Sequence, residues 1–565
     1  MNFIRSFKEK EYLIIYSLLF LAFTWRIFLP DESRGNGIFF QDDFYYYLKI
    51  AENFWIKGFF TFDGINFTNG FQPLWQFILL VPSFFFSGEN LLKISLFINL
   101  FLVIYFFYIF KKILDENNLP FIPLVFLVIS ISFFPTLGQY IFNGMETALL
   151  AVFVILSIRT FNILISEKTS RYHIYFGIFT GLAMLSRLDS FIFFILPYSY
   201  LLLINRKYFF TSSLSHLMVT IPYLVWLYIS SGSIIPISGE VKNFYSTFKY
   251  FFPNPTFQDY FYYLDDVYLN SISFLKYSSF FATPYILKFI NFHFYVSLFI
   301  SFISFVFFFI PFYFVSKKAS MKFSVQIILI LSVILYSIFQ VLYYNIFLIG
   351  LDNWTYGLSG LFILYFTFLI LALNNFDILF RKYVSGMNIS FVIIFAALLQ
   401  IFPIFSYQNS TKDHISFGGE NNNLYVKAYE WANENLPKNS IVGAWAAGQL
   451  GFHLNHHTIQ LEGLVNSNNF LNILKKEAFV QYTCNQKIKY LFLNAEFRNI
   501  HVDEFMPEQL FREKSQIRTY RGKYLNAMWP HLELIWNSNP SFSKKNNATN
   551  SFFIWRINEN LCENL

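Results

Sequence analysis

The chain has 565 residues, 55% of them hydrophobic and only 13% charged, with 41 Lys and Arg against 34 Asp and Glu. Its mean hydropathy of +0.44 excludes a soluble globular protein and points to an integral membrane protein. A net charge of +7, explained by short basic links between apolar runs, gives no nucleic-acid-binding surface. The two cysteines, Cys484 and Cys562, leave a disulfide open without requiring one.

In chain order, Arg5, Lys8 and Lys10 precede an apolar run from Tyr12 to about Pro30. That run is too long for a signal-peptide core and lacks a small-residue cleavage site, so it predicts an uncleaved first transmembrane helix with a cytoplasmic N-terminus. Asp42 and Asp43 follow on the outer side. Phe44, Tyr47, Leu48, Ala51 and Trp55 then recur at the spacing of one helical face, with Lys49, Glu52, Asn53 and Lys57 on the other. The pattern predicts a short helix lying in the membrane interface. Asp63-Gly64 and Asn69-Gly70 form a turn-rich run closed by Pro73.

Residues 73–86 are apolar but fall short of the ~20 needed to cross a bilayer, and Pro82 interrupts them. If this segment does not cross, spans follow at 91–113, 120–137, 147–166, 172–187, 189–206, 212–231, 291–315, 322–349, 355–374 and 386–405. Lys111-Lys112, Lys168 with Arg171, Arg206-Lys207, Lys317-Lys318 with Lys322, and Arg381-Lys382 then all face the cytoplasm, as the positive-inside bias requires. About eleven transmembrane helices are expected, with interfacial helices in the first outer loop and Trp354 and Tyr356 at an outer membrane boundary. The loop 232–290 is aromatic-rich and partly interfacial. From about residue 406 the composition becomes that of a soluble α/β domain. Its expected elements are a helix over 421–436 ended by Pro437 and strands at 440–445, 458–461, 489–494 and 552–557. The expected division is a membrane domain, 1–405, and an extracytoplasmic domain, 406–565.

The topology, chosen from Lys and Arg alone, also gathers the chemistry-bearing motifs on one face. Asn143-Gly144-Met145-Glu146-Thr147, Arg187 with Asp189, and the segment Pro236 to Lys242 all join Asp42 and Asp43 outside. Each has a bland reading: Asp42 and Glu146 as helix caps, Arg187 with Asp189 as a structural ion pair, Lys242 as a snorkelling side chain, and His456-His457 as a polar loop. Adjacent aspartates on a helix diverge by about 100°, so they are not the facing carboxylate pair of a glycosidase. A single carboxylate suffices as general base when the leaving group is a phosphate held by cations. A transporter or lipid flippase is the alternative, but it calls for repeats or broken helices with mid-membrane charges. A binding scaffold would leave the first-loop carboxylates idle.

The run DDFYYYLKIAENFWIKGFFTFDGINFTNGFQPLW with NGMETAL (143–149), SRLDS (186–190) and PISGEVK (236–242) resembles bacterial polytopic members of the GT-C glycosyltransferase superfamily. Protein O-mannosyltransferases, aminoarabinose transferases and mycobacterial arabinofuranosyltransferases are relatives. GAWAAGQLGF (443–452) and LEGLVN (461–466) extend the likeness into the C-terminal region. The resemblance implies a polyprenyl-phosphate-sugar donor, inversion at the anomeric carbon, and a glycan, lipid or protein acceptor, in the bacterial cytoplasmic membrane. It puts the general base on Asp42, with Asp43 and Glu146 as further catalytic carboxylates. Arg187, Asp189, Lys242 and Asn69 become substrate-binding residues, the two cations holding the donor phosphate. No cofactor is implied, and metal dependence stays open.

Overall fold

In the computed structural model the chain is described over residues 19–28, 42–116, 141–167, 171–251, 424–498, 527–538, 541–543 and 548–562, with further positions at 13, 16–17, 128 and 524–525 and scattered ones between 325 and 339. The expected loop beyond 251, most of the spans at 120–137 and 322–349, those at 291–315, 355–374 and 386–405, Trp354 with Tyr356, and the boundary at 405/406 lie outside these residues.

The helices are α1 (Asp42–Lys57), α2 (Pro73–Phe85), α3 (Gly88–Glu116), α4 (Thr147–Glu167), α5 (Tyr172–Ser186), α6 (Phe191–Ile204), α7 (Arg206–Ser231) and α8 (Ile237–Phe251). Among the described residues, three stretches are long and apolar enough to cross a membrane: Gly88–Ile113, Thr147–Ser166 and Arg206–Ser231. They fit a multi-pass membrane protein. The expected spans at 172–187 and 189–206 come out shorter, as helices of 15 and 14 residues. Arg187 leaves the helix with extended backbone, φ −150° and ψ 117°, and one 3-10 turn, Leu188–Ser190, re-enters it. The chain is thereby broken at the point that carries its charges.

α5 and α7 pack closely because α5 presents Gly177 and Gly181, four residues apart on one face. A Cβ on Gly177 would lie 2.2 Å from the Ser212 carbonyl oxygen and 2.7 Å from Ser215 Cβ. Thr180, between the glycines, hydrogen-bonds the Tyr198 hydroxyl at 2.7 Å and His216 Nδ1 at 3.0 Å, tying α6 into the pair.

The C-terminal region is a mixed sheet in the order β2-β1-β3-β6-β4, with β5 pairing β6. Its members are β1 (Ile441–Ala444), β2 (His457–Gln460), β3 (Tyr490–Arg498), β4 (Leu532–Asn537), β5 (Ser541–Ser543) and β6 (Ala548–Ile557). β1 runs parallel to β2 and β3; β6 is antiparallel to β3, β4 and β5. A helix over 424–435, α9, and three short ones, α10 (Gly448–His453), α11 (Asn468–Lys476) and α12 (Phe479–Asn485), complete it. The helix before Pro437 and four strands match expectation. β3 and β6 extend further, because they pair with each other along their whole length. β4 and β5 were not expected; β4 slips register between Leu534 and Trp536, which blurs its alternation. Cys484 and Cys562 are disulfide-bonded, linking α12 to the segment after β6.

The single apolar face expected of α1 is wider than the periodicity indicated and ends before Trp55. Tyr45, Tyr46 and Asn53 are buried along with Phe44, Tyr47 and Leu48, whereas Trp55, expected inside, is 48% exposed. The reason is a second partner. α1 is packed on one side by α2 and on the other by α10, where Tyr45 meets Phe452 at 5.5 Å between ring centroids. One core consequently contains Phe44, Trp75 and Met145 together with Tyr425, Phe452, Phe552 and Ile554. Asn53 is buried because its amide donates to the Thr61 and Phe62 carbonyls.

Candidate active site

Asp42 and Asp43 open α1, where a carboxylate suits the positive end of the helix dipole. Their side chains part company. Asp42 turns to the C-terminal region, its Oδ2 accepting the Gly448 N–H at 2.9 Å and its Oδ1 the Gln449 N–H at 2.9 Å. These are the first N–H groups of α10, so Asp42 caps a helix more than 400 residues away in sequence. One turn along α1, the Tyr46 hydroxyl accepts the Ala447 N–H at 3.1 Å. Burial pushes the Asp42 carboxyl up to about 6, against the opposing pull of the two N–H donors.

The Asp43 carboxylate makes no hydrogen bond or ion pair among the described residues. Burial raises its pKa, and the charge of Lys242 partly offsets the rise. Lys242 stands half-buried on α8 and likewise has no ion pair among the described residues. α8 is set in place from both sides. The Ile237 N–H donates to Asn69 Oδ1 at 2.9 Å, while Ile237 and Val241 are buried in the second core with Trp445, Leu461 and Phe470. Tyr245 further along donates its hydroxyl to the Glu462 carbonyl. Asn69 thus caps the helix that carries Lys242. Its Nδ2, though buried, has no partner among the described residues.

Glu146 comes from the turn after residue 141. Asn143 Oδ1 accepts the Met145 N–H at 2.9 Å and the Thr147 hydroxyl at 3.1 Å. Gly144 has φ +77°, and a Cβ there would press on the Phe44 ring at 2.6 Å, so only glycine fits. Its carbonyl accepts the Trp75 indole N–H at 3.0 Å. Glu146, 1% exposed, accepts the Tyr47 hydroxyl at 3.1 Å and Arg187 Nη1 at 3.1 Å. Arg187 also donates through Nε and Nη2 to Asp189, at 3.2 and 3.3 Å. Burial raises the Glu146 carboxyl; Arg187 opposes the rise, and the nearby charge of Asp43 adds to it.

Asp43, Glu146, Arg187 and Lys242 therefore share one neighbourhood. Asp42 is beside it but committed elsewhere, Asp189 serves Arg187, and Asn69 serves the backbone of α8. The residues that sequence reasoning missed are polar bridges. Tyr47, read as one more apolar position, joins Glu146 to the Gln72 N–H at 3.1 Å. Gln72 is extended because Pro73 follows it, and its side chain accepts the Leu188 N–H at 3.4 Å. Gln460 donates to Glu462 at 3.1 Å and to Tyr46 at 3.5 Å. Only the dipeptide Gln72-Pro73 left a local signal. His456 and His457 are structural: their ring nitrogens meet the Ala432 and Asp63 carbonyls at 3.3 and 3.1 Å. Among the described residues no three His, Cys, Asp or Glu side chains are grouped to hold a metal ion.

No protein-family profile matches this chain, and no curated protein does. Solved structures do. The archaeal oligosaccharyltransferase AglB from Archaeoglobus fulgidus, in complex with an inhibitory peptide and a dolichol-phosphate, aligns with a TM-score of 0.50 at 11% identity, over 97% of this chain and 74% of its own. ArnT from Cupriavidus metallidurans bound to undecaprenyl phosphate aligns with a TM-score of 0.47 at 10% identity, over 97% and 98%. The alignment with AglB shows a likeness of fold over nearly the whole of this chain.

Proposed function

We propose that the chain is a membrane glycosyltransferase that moves a sugar from a polyprenyl-phosphate donor to an acceptor hydroxyl, with inversion, and that Asp43 is its general base. The observation that carries this reading is a buried carboxylate, Asp43, under the charge of Lys242, neither of which has an ion pair among the described residues. Asp42, the residue favoured by the motif alone, has both oxygens taken by N–H donors, so the role passes one residue along.

In the proposed reaction the Asp43 carboxylate takes the proton of the acceptor hydroxyl. The acceptor oxygen bonds to the anomeric carbon from the face opposite the leaving group. The bond from that carbon to the phosphate oxygen breaks, its electron pair leaving with the polyprenyl phosphate. Lys242 holds the departing charge, which needs no acid. Burial makes Asp43 a stronger base than a solvated carboxylate, while Lys242 keeps it ionised. Glu146, balanced by Arg187 and Tyr47, keeps a negative charge beside Asp43 and fixes the link between α5 and α6. Arg187, expected on the phosphate, is given a supporting role because Glu146 and Asp189 already engage it.

The disulfide and the basic links support a bacterial cytoplasmic membrane location with the C-terminal region on the outer, oxidising side. The dolichol-phosphate in AglB supports a lipid-phosphate donor. Mass spectrometry of lipids from a deletion strain tests the proposal. Accumulation of one polyprenyl-phosphate sugar with loss of one glycan is expected; an unchanged lipid-linked sugar pool contradicts it.

A further inference from the structure

We propose that Asp42 is a positioning residue, the latch by which the C-terminal sheet region holds the first loop and, through it, sets Asp43 against Lys242. The inference rests on the assignment of Asp43 as base.

Three successive N–H groups, of Ala447, Gly448 and Gln449, are all received by two side chains of α1, Tyr46 and Asp42. Backbone meets backbone as well. A Cβ on Gly448 would lie 2.1 Å from the Asp42 carbonyl oxygen and 2.9 Å from the Asp42 carbonyl carbon. That carbonyl belongs to the peptide unit that carries Asp43, so a side chain at position 448 would displace the backbone of the base. The turn arrives in this position with Ala446 in the left-handed region, φ 47°, a conformation that only a well-determined surrounding sustains.

The same sheet region anchors Lys242. Ile237 and Val241 of α8 are buried with Leu461 and Phe470, a Cβ on Gly463 would touch Val241 at 3.1 Å, and Tyr245 donates to the Glu462 carbonyl. Base and cation come from segments about 200 residues apart, and both are held against the stretch 446–464, α8 being bonded to Asn69 of the first loop as well. The sheet region is therefore a common reference for their separation. Loosening the latch should degrade the alignment of Asp43 without removing a reacting group, and a misplacement of ~1 Å costs on the order of 100-fold in rate.

The experiment compares Asp42→Ala, Asp42→Asn, Tyr46→Phe and Gly448→Ala in the full chain, in nanodiscs. It measures kcat, the donor KM, and amide hydrogen exchange over 447–453. Asp42→Ala and Gly448→Ala should each lower kcat ~10- to 100-fold with donor KM little changed, and should speed exchange over 447–453. Asp42→Asn, which keeps one accepting oxygen, should recover part of the loss, and Tyr46→Phe should show a smaller effect in the same direction. If Asp42→Asn is as inactive as Asp43→Asn while Gly448→Ala turns over normally, Asp42 acts chemically and the latch is wrong. Unchanged exchange over 447–453 in Asp42→Ala overturns it irrespective of activity. Absence of transfer by the wild type would instead defeat the glycosyltransferase reading, and the exchange measurement would still decide the latch.

Discussion

Asp42 and Asp43 are one peptide bond apart, yet about 100° of helical rotation gives them different neighbours and different chemistry. Asp43 has its pKa raised by burial, so its ionised form is less favourable in the folded state than in the unfolded one. Its contribution to stability is fully present at pH values below the unfolded pKa and is lost as pH rises through the folded one. Asp43→Asn removes that dependence. Thermal unfolding should find the variant increasingly favoured over wild type as pH rises above the ordinary carboxylate range, with the gap shrinking as pH falls. Arg187 makes a second residue-scale prediction. It and Glu146 are 8% and 2% exposed as side chains, so Arg187→Ala strands a buried carboxylate at a cost of ~3–5 kcal/mol. Adding Glu146→Gln should restore much of the stability; a donor-phosphate role alone predicts no such rescue in the melting curve. The sequence displayed the aspartate pair and Glu146 plainly. The motif put the base on Asp42, and what separates the two in the fold, an N–H donor pair more than 400 residues away, left no mark in the sequence. Tyr46 and Tyr47 were concealed for another reason: a phenol counts as apolar in a periodicity, whereas its hydroxyl decides its role.

Helices were the most legible elements, since apolar length alone announces α3, α4 and α7. The short α2 was also legible from its length, although Pro82, expected to interrupt it, lies inside the helix. The break between α5 and α6 was legible too, because the expected spans 172–187 and 189–206 meet at the link that Arg187 and Asp189 occupy. The packing of α5 on α7 makes the element-scale prediction. Gly177→Leu must displace the Ser212 carbonyl or Ser215, and overpacking of this kind costs ~1–3 kcal/mol or more. A lowered melting temperature in detergent, with loss of the α5–α7 contact by cysteine cross-linking, is the expected result. Unaltered melting would mean that the two helices are not held at this distance. In the sheet region, β1, β2, β3 and β6 were announced by runs of branched and aromatic residues. β4, with its register shift, and the three-residue β5 fell below what alternation can reveal.

At the scale of the whole molecule, the first loop, α8 and the sheet region act as one body around the candidate site. The shared core of Phe44 and Tyr45 with Tyr425 and Phe552 was invisible in the sequence, which locates a change of composition but not a docking surface. The disulfide between Cys484 and Cys562 closes a 78-residue separation, for which ~2–4 kcal/mol is typical. Cys484→Ser with Cys562→Ser should therefore lower the unfolding temperature of the full chain and abolish its sensitivity to reductant. The most direct test of the central claim is transfer from a polyprenyl-phosphate sugar by purified wild type, Asp42→Asn and Asp43→Asn under saturating donor. A loss of about 10²–10⁴ in kcat for Asp43→Asn, with Asp42→Asn retaining measurable turnover, is the predicted result. Near-normal turnover by Asp43→Asn would contradict the account.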